Sequence, residues 1–252
     1  MENSYINIYE EYISYIAGGL FGDFIHQLSV IKEKYVLTGK KGILYIANIG
    51  DSFKFGLENT YQKTYDLVIK QDYIHQYKIY NGEPYEINLS SWRCNRYLYH
   101  NNWYIIFSDE YTVEWGKHRW LDVPIDNKWA NKILVNETSY RFSNIDYQKL
   151  YDIYGDKLVF IAFKETNYCD YETFVQNTGL NIEYYDPTSM YDLVVAIQSC
   201  IMFVGVPSGF MAIACAIKGP IILGRPPNDS EYVMVKSLNH HFINITIEDS
   251  ST

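Results

Sequence analysis

Several things are scarce in this chain, and each scarcity removes a class of function. Its four cysteines, Cys94, Cys169, Cys200 and Cys215, form no CxxC pair and have no metal-ligand spacing. A zinc ribbon and a disulfide-stapled scaffold are therefore excluded, and free thiols in a reducing compartment are expected. No run of basic residues stands out, and Asp and Glu (30) exceed Lys and Arg (21), for a formal net charge of −9. A nucleic-acid backbone is a poor partner for such a surface, since binding it needs a cationic face that displaces counterions. There is no GxGxxG dinucleotide fingerprint, no P-loop and no HExxH zinc motif. Long apolar runs are also wanting. The one uncharged stretch of membrane-spanning length, Cys200 to Ile217, is broken by Gly205, Pro207, Ser208 and Gly209. It reads better as a strand from Ile201 to Val206, a turn, and a helix from Ser208, so no transmembrane segment is expected. The opening MENSYINIYEEY is acidic and polar, unlike a secretory leader, which makes the cytoplasm the expected location. Without a leader the Asn-x-Ser/Thr triplets at Asn88, Asn136, Asn228 and Asn244 carry no meaning for glycosylation.

What the chain does have is apolar and aromatic mass. With 48% hydrophobic and 17% aromatic residues over 252 positions it can bury a large core, and disorder is excluded. Tyrosine alone appears 26 times. With abundant Asn, Ile and Lys, this suggests an AT-rich coding genome of the kind some large DNA viruses carry, in which case the compartment would be the host cytoplasm.

Apolar runs and helical periods alternate along the chain. Tyr12 to Ala17 reads as a strand ending at Gly18-Gly19, and Asp23 to about Lys34 as a helix. Ile43 to Ala47 is a strand and Glu58 to Lys70 a helix. A less regular aromatic region follows, with strand-like pieces at Tyr73–Tyr80 and Trp103–Phe107 and all five tryptophans, at 92, 103, 115, 120 and 129. After Pro124 the alternation restarts: strands at Lys132–Asn136, Leu158–Phe163, Ile182–Tyr185, Ile201–Val206 and Pro220–Leu223, with helices at Ile145–Tyr154, Tyr171–Thr178, Met190–Ser199 and Gly209–Lys218. Strands alternating with helices over short connections predict parallel sheets covered on both faces. The restart divides the chain into two Rossmann-like units, residues 1–125 and 126–252.

Three segments carry candidate chemistry. Gly18-Gly19-Leu20-Phe21-Gly22-Asp23-Phe24-Ile25-His26 is a glycine-rich strand-to-helix turn in which backbone at Gly18, Gly19 and Gly22 lets a ligand approach. By spacing alone Asp23 is first of all a helix N-cap, and His26 is a surface histidine or a neighbour of the site. Phe203 to Ala214 delivers Ser208 and Gly209 to a helix start, where outward N–H groups and a hydroxyl suit a diphosphate; Ser208 as a simple cap explains the same pattern. Asn136, Thr138, Ser139 and Arg141, in the loop after a strand, suit phosphate oxygens, the arginine as a two-pronged donor. Glu165 is a further candidate carboxylate. All of these fall at carboxyl ends of strands, where open α/β sheets bind ligands.

Gly22-Asp23-Phe24-Ile25-His26-Gln27-Leu28 resembles the Gly-Asp-x-hydrophobic-His-x-Leu segment of the ADP-heptose:lipopolysaccharide heptosyltransferases, the family 9 glycosyltransferases. Phe203 to Ala216, followed by Pro220-Ile221-Ile222-Leu223-Gly224, resembles their donor-site strand, turn and helix. The resemblance implies an α/β fold of two Rossmann-like domains facing across a cleft (GT-B), in a compact version. It also implies inverting, metal-independent transfer from a nucleotide-sugar donor to a glycan or other hydroxyl acceptor. Asp23 becomes the general base, and Ser208, Gly209 and the Thr138–Arg141 loop hold the donor diphosphate. No Asp-x-Asp triplet is present, in keeping with no metal cofactor. The chain departs from the family pattern at Pro207, where the family has an acidic residue, and at Ala212, where it has a histidine. Both departures argue against ADP-heptose as donor and leave open a sugar-nucleotide-binding or scaffold module. A nucleotide-sugar epimerase lacks its GxxGxxG and Tyr-x-x-x-Lys signatures here.

Overall fold

The computed structural model describes residues 11–94, 102–224 and 245–248. The first half builds β1 (Tyr12–Ala17), α1 (Phe21–Thr38), β2 (Lys41–Ile46), α2 (Leu57–Ile69), β3 (Ile74–Ile79) and β4 (Ile87–Asn88). Its strands are all parallel and ordered β3-β2-β1-β4. The second half builds β5 (Ile133–Asn136), β6 (Leu158–Ile161), β7 (Glu183–Tyr185), β8 (Met202–Gly205), β9 (Ile221–Gly224) and β10 (Ile245–Glu248), again all parallel, in the order β10-β9-β8-β5-β6-β7. Helices α4 (Tyr147–Tyr154), α5 (Lys164–Thr178), α6 (Met190–Ser199) and α7 (Gly209–Ile217) connect these strands. In both sheets the strand order reverses beside the first strand, at β1/β4 and β5/β8, and such switch points open a crevice at the strands' carboxyl ends.

Helix α1 is the axle of the molecule. Every residue from Phe24 to Ile31 is buried, so most of its polar groups are partnered from within. Ser29 Oγ accepts from the Gly116 N–H at 2.9 Å, and the Glu33 carboxylate accepts from the His118 N–H at 2.7 Å. The indoles of Trp115 and Trp120 donate to the carbonyls of His26 and Ile25 at 3.0 and 2.8 Å. A strap over residues 113–123 is thereby pinned onto α1. Its far side reaches the second half, where the Trp120 N–H donates to the Ala216 carbonyl at 3.1 Å and the Val123 N–H to Gln198 Oε1 at 3.2 Å. α1 packs on α7 and α2 on α6, so one apolar core runs beneath both sheets.

Two expectations from the sequence need correction. Trp103–Phe107 is not strand-like but opens α3 (Trp103–Tyr111), with Asn102 Oδ1 accepting from the Ile105 N–H. Its buried positions, Trp103, Ile106, Phe107 and Tyr111, recur at helical spacing. The helix expected at Tyr171–Thr178 begins seven residues earlier, at Lys164, and bends at Asn167. All five tryptophans are buried and belong to the core. The described thiols, at 169, 200 and 215, are free. Asn228 and Asn244, and most of the N-terminal segment, lie outside the described residues.

Candidate active site

At the β1/β4 switch point the Gly18-Gly19 pair turns the chain so sharply that α1 starts at Phe21, with Leu20 as its N-cap. Asp23 is therefore not the cap expected from spacing. It sits in the first helical turn, where its charge still suits the helix dipole. Its carboxylate is paired with the Arg93 guanidinium, carried by the 3-10 turn Ser91–Cys94 that follows β4. Both side chains are mostly sheltered, at 17% and 19% exposure for Asp23 and Arg93.

The glycines exist for this arginine. A Cβ on Gly19, whose φ is 104°, would stand 2.4 Å from Arg93 Nη2, and one on Gly50 would stand 3.1 Å from Arg93 Cδ. Gly18 and Gly19 thus do not border the cavity described below. The Gly18 polar groups are satisfied by the Gln27 amide, which accepts from its N–H at 3.2 Å and donates to its carbonyl at 2.9 Å.

At the second switch point Asn136 ends β5 and Ser208 follows β8. The Ser208 hydroxyl donates to Asn136 Oδ1 at 3.3 Å and accepts from the Met211 N–H at 3.2 Å, so Ser208 does cap α7. Asn136 Nδ2 donates to the Ile161 carbonyl at 2.9 Å. Arg141 Nη1 donates to the Pro207 carbonyl at 2.8 Å, tying the β5 loop to the β8 loop. Thr138 is 5% exposed and its Oγ1 is buried without a hydrogen-bond partner. Behind the loop Glu137 is wholly buried and accepts from the Ser143 N–H, the Ser143 hydroxyl and the Tyr147 hydroxyl. Burial pushes its carboxyl up to about 7 against the pull of those bonds.

The two halves meet at their helix starts. A Cβ on Gly22 would lie 3.7 Å from Gly209 Cα, and one on Gly209 only 2.7 Å from the Phe21 ring. The N-termini of α1 and α7 therefore abut and open onto one cavity of about 300 Å³. From the first half it is lined by Gly22, Asp23, His26, Phe53, Lys54, Phe55, Lys63 and Trp103 among others. The second half gives Asn136, Thr138, Tyr140, Arg141, Phe163, Asp170, Ser208, Gly209 and Phe210, with Pro207 and Ala212 on the same wall.

Of the residues singled out by sequence, Asp23, Gly22, His26, Asn136, Thr138, Arg141, Ser208 and Gly209 come together here. Ser139 and Glu165 do not. Ser139 is exposed and spends its N–H on Asp170 Oδ1 at 2.7 Å, and Glu165 is exposed on α5 outside the cavity. His26 is no surface histidine: it is 4% exposed, and burial drives its imidazole down to about 3, leaving it neutral. Arg93, Lys54, Lys63 and Asp170 escaped sequence reading. No motif marks them, and each is delivered by a loop or helix whose place follows only from the sheet order.

This is the GT-B architecture, with parallel Rossmann-like sheets facing across a shared cleft. Among solved structures the chain is similar to E. coli ADP-heptose LPS heptosyltransferase II, at a TM-score of 0.59 and 13% identity over 96% of this chain and 91% of that one. It is also similar to a glycosyl transferase family 9 protein from Veillonella parvula, at 0.57 and 11% over 96% and 89%, and to E. coli heptosyltransferase WaaC with ADP, at 0.57 and 9% over 93% and 92%. The resemblance of the two motifs to family 9 thus extends to the whole fold. No family model matches the sequence, and no curated protein does. Among the described residues no helix is long and apolar enough to cross a membrane, and no group of three His, Cys, Asp or Glu could hold a metal ion.

Proposed function

We propose that this protein transfers a sugar from a nucleotide-diphosphate donor to a hydroxyl acceptor, with inversion and without a metal. Residues 1–125 form the acceptor side and 126–252 the donor side. The supporting observation is that the Asp23 carboxylate and the α7 N-terminus with Ser208, Gly209, Thr138 and Arg141 border one cavity. Asp23 takes the acceptor's hydroxyl proton while the acceptor oxygen bonds to the sugar's anomeric carbon. The bond from that carbon to the diphosphate breaks, and the departing oxyanion leaves as a nucleoside diphosphate. Its charge is met by the α7 N–H groups, the Ser208 and Thr138 hydroxyls and the Arg141 guanidinium. The partnerless Thr138 hydroxyl fits this role, since a buried donor without a partner costs about 1–3 kcal/mol until a ligand satisfies it.

The test begins with a thermal-shift panel of UDP-, GDP-, ADP- and CMP-sugars. A true ligand at a hundredfold its Kd stabilises by about 2.7 kcal/mol. Asp23→Asn is expected to keep that shift and to lose transfer by at least about a hundredfold; an Asn variant as active as wild type removes Asp23 from the reaction. A second reading, a sugar-nucleotide-binding module without transfer, is favoured by Pro207 and Ala212 standing on the cavity wall. It predicts the same thermal shift with no product from wild type.

A further inference from the structure

His26 lies three residues after Asp23 on α1, so the two side chains share one helix face and both border the cavity. Its ring is boxed by indoles, with centroids 5.0 Å from Trp103, 5.6 Å from Trp115 and 6.4 Å from Trp120. Nδ1 is buried with no hydrogen-bond partner and the residue borders the cavity, so Nε2 is the nitrogen open to a ligand there. A proton on Nδ1 would be a buried donor with nothing to accept it, so the neutral ring carries its proton on Nε2. Burial also holds the imidazole far below the range in which it would charge. A leucine or phenylalanine would fill an aromatic box without the cost of an unsatisfied nitrogen. What only histidine offers here is an uncharged N–H on a residue that borders the cavity, one helical turn from a carboxylate.

We propose that His26 is an acceptor-binding residue: its Nε2–H donates to the oxygen of the reacting hydroxyl while that hydroxyl donates its proton to Asp23. The inference rests on the transferase reading above. A hydroxyl both donates and accepts, so the two side chains orient one O–H group from both of its ends. His26 keeps its proton throughout; the acceptor's proton goes to Asp23 as the new glycosidic bond forms and the bond to the diphosphate breaks. A neutral donor serves this purpose better than an imidazolium, which would compete for the Asp23 carboxylate.

The experiment compares wild type with His26→Phe, His26→Asn and His26→Gln, using the four nucleotide-sugar classes as donors and methyl glycopyranosides as acceptors. Phe fills the box with no donor, Asn places its amide near Nδ1, and Gln places its amide near Nε2. The expected result is a loss of about tenfold or more in kcat/KM for acceptor in the Phe and Asn variants, with donor KM unchanged. Gln should recover to within about threefold of wild type, and the Tm of the Phe variant should not fall. Long-range proton–nitrogen NMR should find the His26 proton on Nε2 and no titration between pH 5 and 8. Acceptor kinetics in the Phe variant within twofold of wild type, or a proton on Nδ1, overturns the proposal while the transferase reading stands. A wild type inactive with every donor and acceptor overturns both.

Discussion

Replacing Gly19 with alanine tests whether the glycine turn exists to admit Arg93. Two costs arise. The backbone at φ 104° disfavours any side chain, by about 1–3 kcal/mol. The new methyl would stand 2.4 Å from Arg93 Nη2 and 2.9 Å from its Cζ. The guanidinium rests on the Trp92 ring, 4.3 Å from Cζ, and clearing the methyl is expected to draw it off Asp23. A charged hydrogen bond sheltered to this degree contributes about 1.5–3 kcal/mol. Together Gly19→Ala should destabilise by about 4 kcal/mol. In an Arg93→Ala background only the backbone term survives. Urea denaturation of the four proteins of this double-mutant cycle should return a coupling of about 2 kcal/mol. A coupling below about 0.5 kcal/mol, the ordinary scatter of additivity, would refute the claim that glycine and arginine serve each other.

Two further outcomes are expected. The Glu137 carboxyl, ordinarily at 4.5, is pushed up to about 7 by burial, so the folded chain holds a proton that the unfolded chain has shed between those values. Its contribution to stability is present below the ordinary carboxylate range and lost as pH rises through about 7, by about 3 kcal/mol. Urea midpoints at pH 5 and pH 8 should show that decline in wild type, and Glu137→Gln should flatten it; equal pH dependence in both proteins refutes the assignment. In native-state hydrogen exchange the amides of α1 and α7 should exchange together in the slowest set, because one core joins them. Exchange of α7 well ahead of α1 would contradict this.

The parts of the fold legible in the sequence were those with a single dominant signal. β1, α6, and the turn from β8 into α7 read correctly because apolar runs ended at glycine or at a serine cap. Trp103–Phe107 misread because five consecutive large residues carry no visible period. Only the capping of α3 by Asn102 and the burial of Trp103, Ile106 and Phe107 settle it as a helix. An aspartate after glycines fits a helix cap, and nothing local in the chain marks Asp23 as lying inside the helix. The helix begins two residues earlier because Gly19 supplies the positive φ. Within the site, the residues in the two strand-to-helix turns and in the loop after β5 could be found in the chain. Arg93 could not: seventy positions separate it from Asp23, and only the adjacency of β4 to β1 brings them together.

That joined core also constrains how the cleft can work. α1 belongs to the first half and α7 to the second, yet they pack on each other and share one buried cluster that also holds Trp115 and Trp120, at 1% and 0% exposure. Swinging the halves apart would part the α1–α7 and α2–α6 packing and break the hydrogen bond from the Trp120 N–H to the Ala216 carbonyl. At about 25 cal/mol for each Å² of apolar surface uncovered, such opening works against the burial that joins the halves. A ligand meets a cavity already formed, and the adjustable parts must be side chains and loops at its rim, where Leu20, Phe55 and Tyr140 stand 45%, 49% and 71% exposed. On the transferase proposal, the spacing between Asp23 and the α7 start then limits which donor and acceptor fit together.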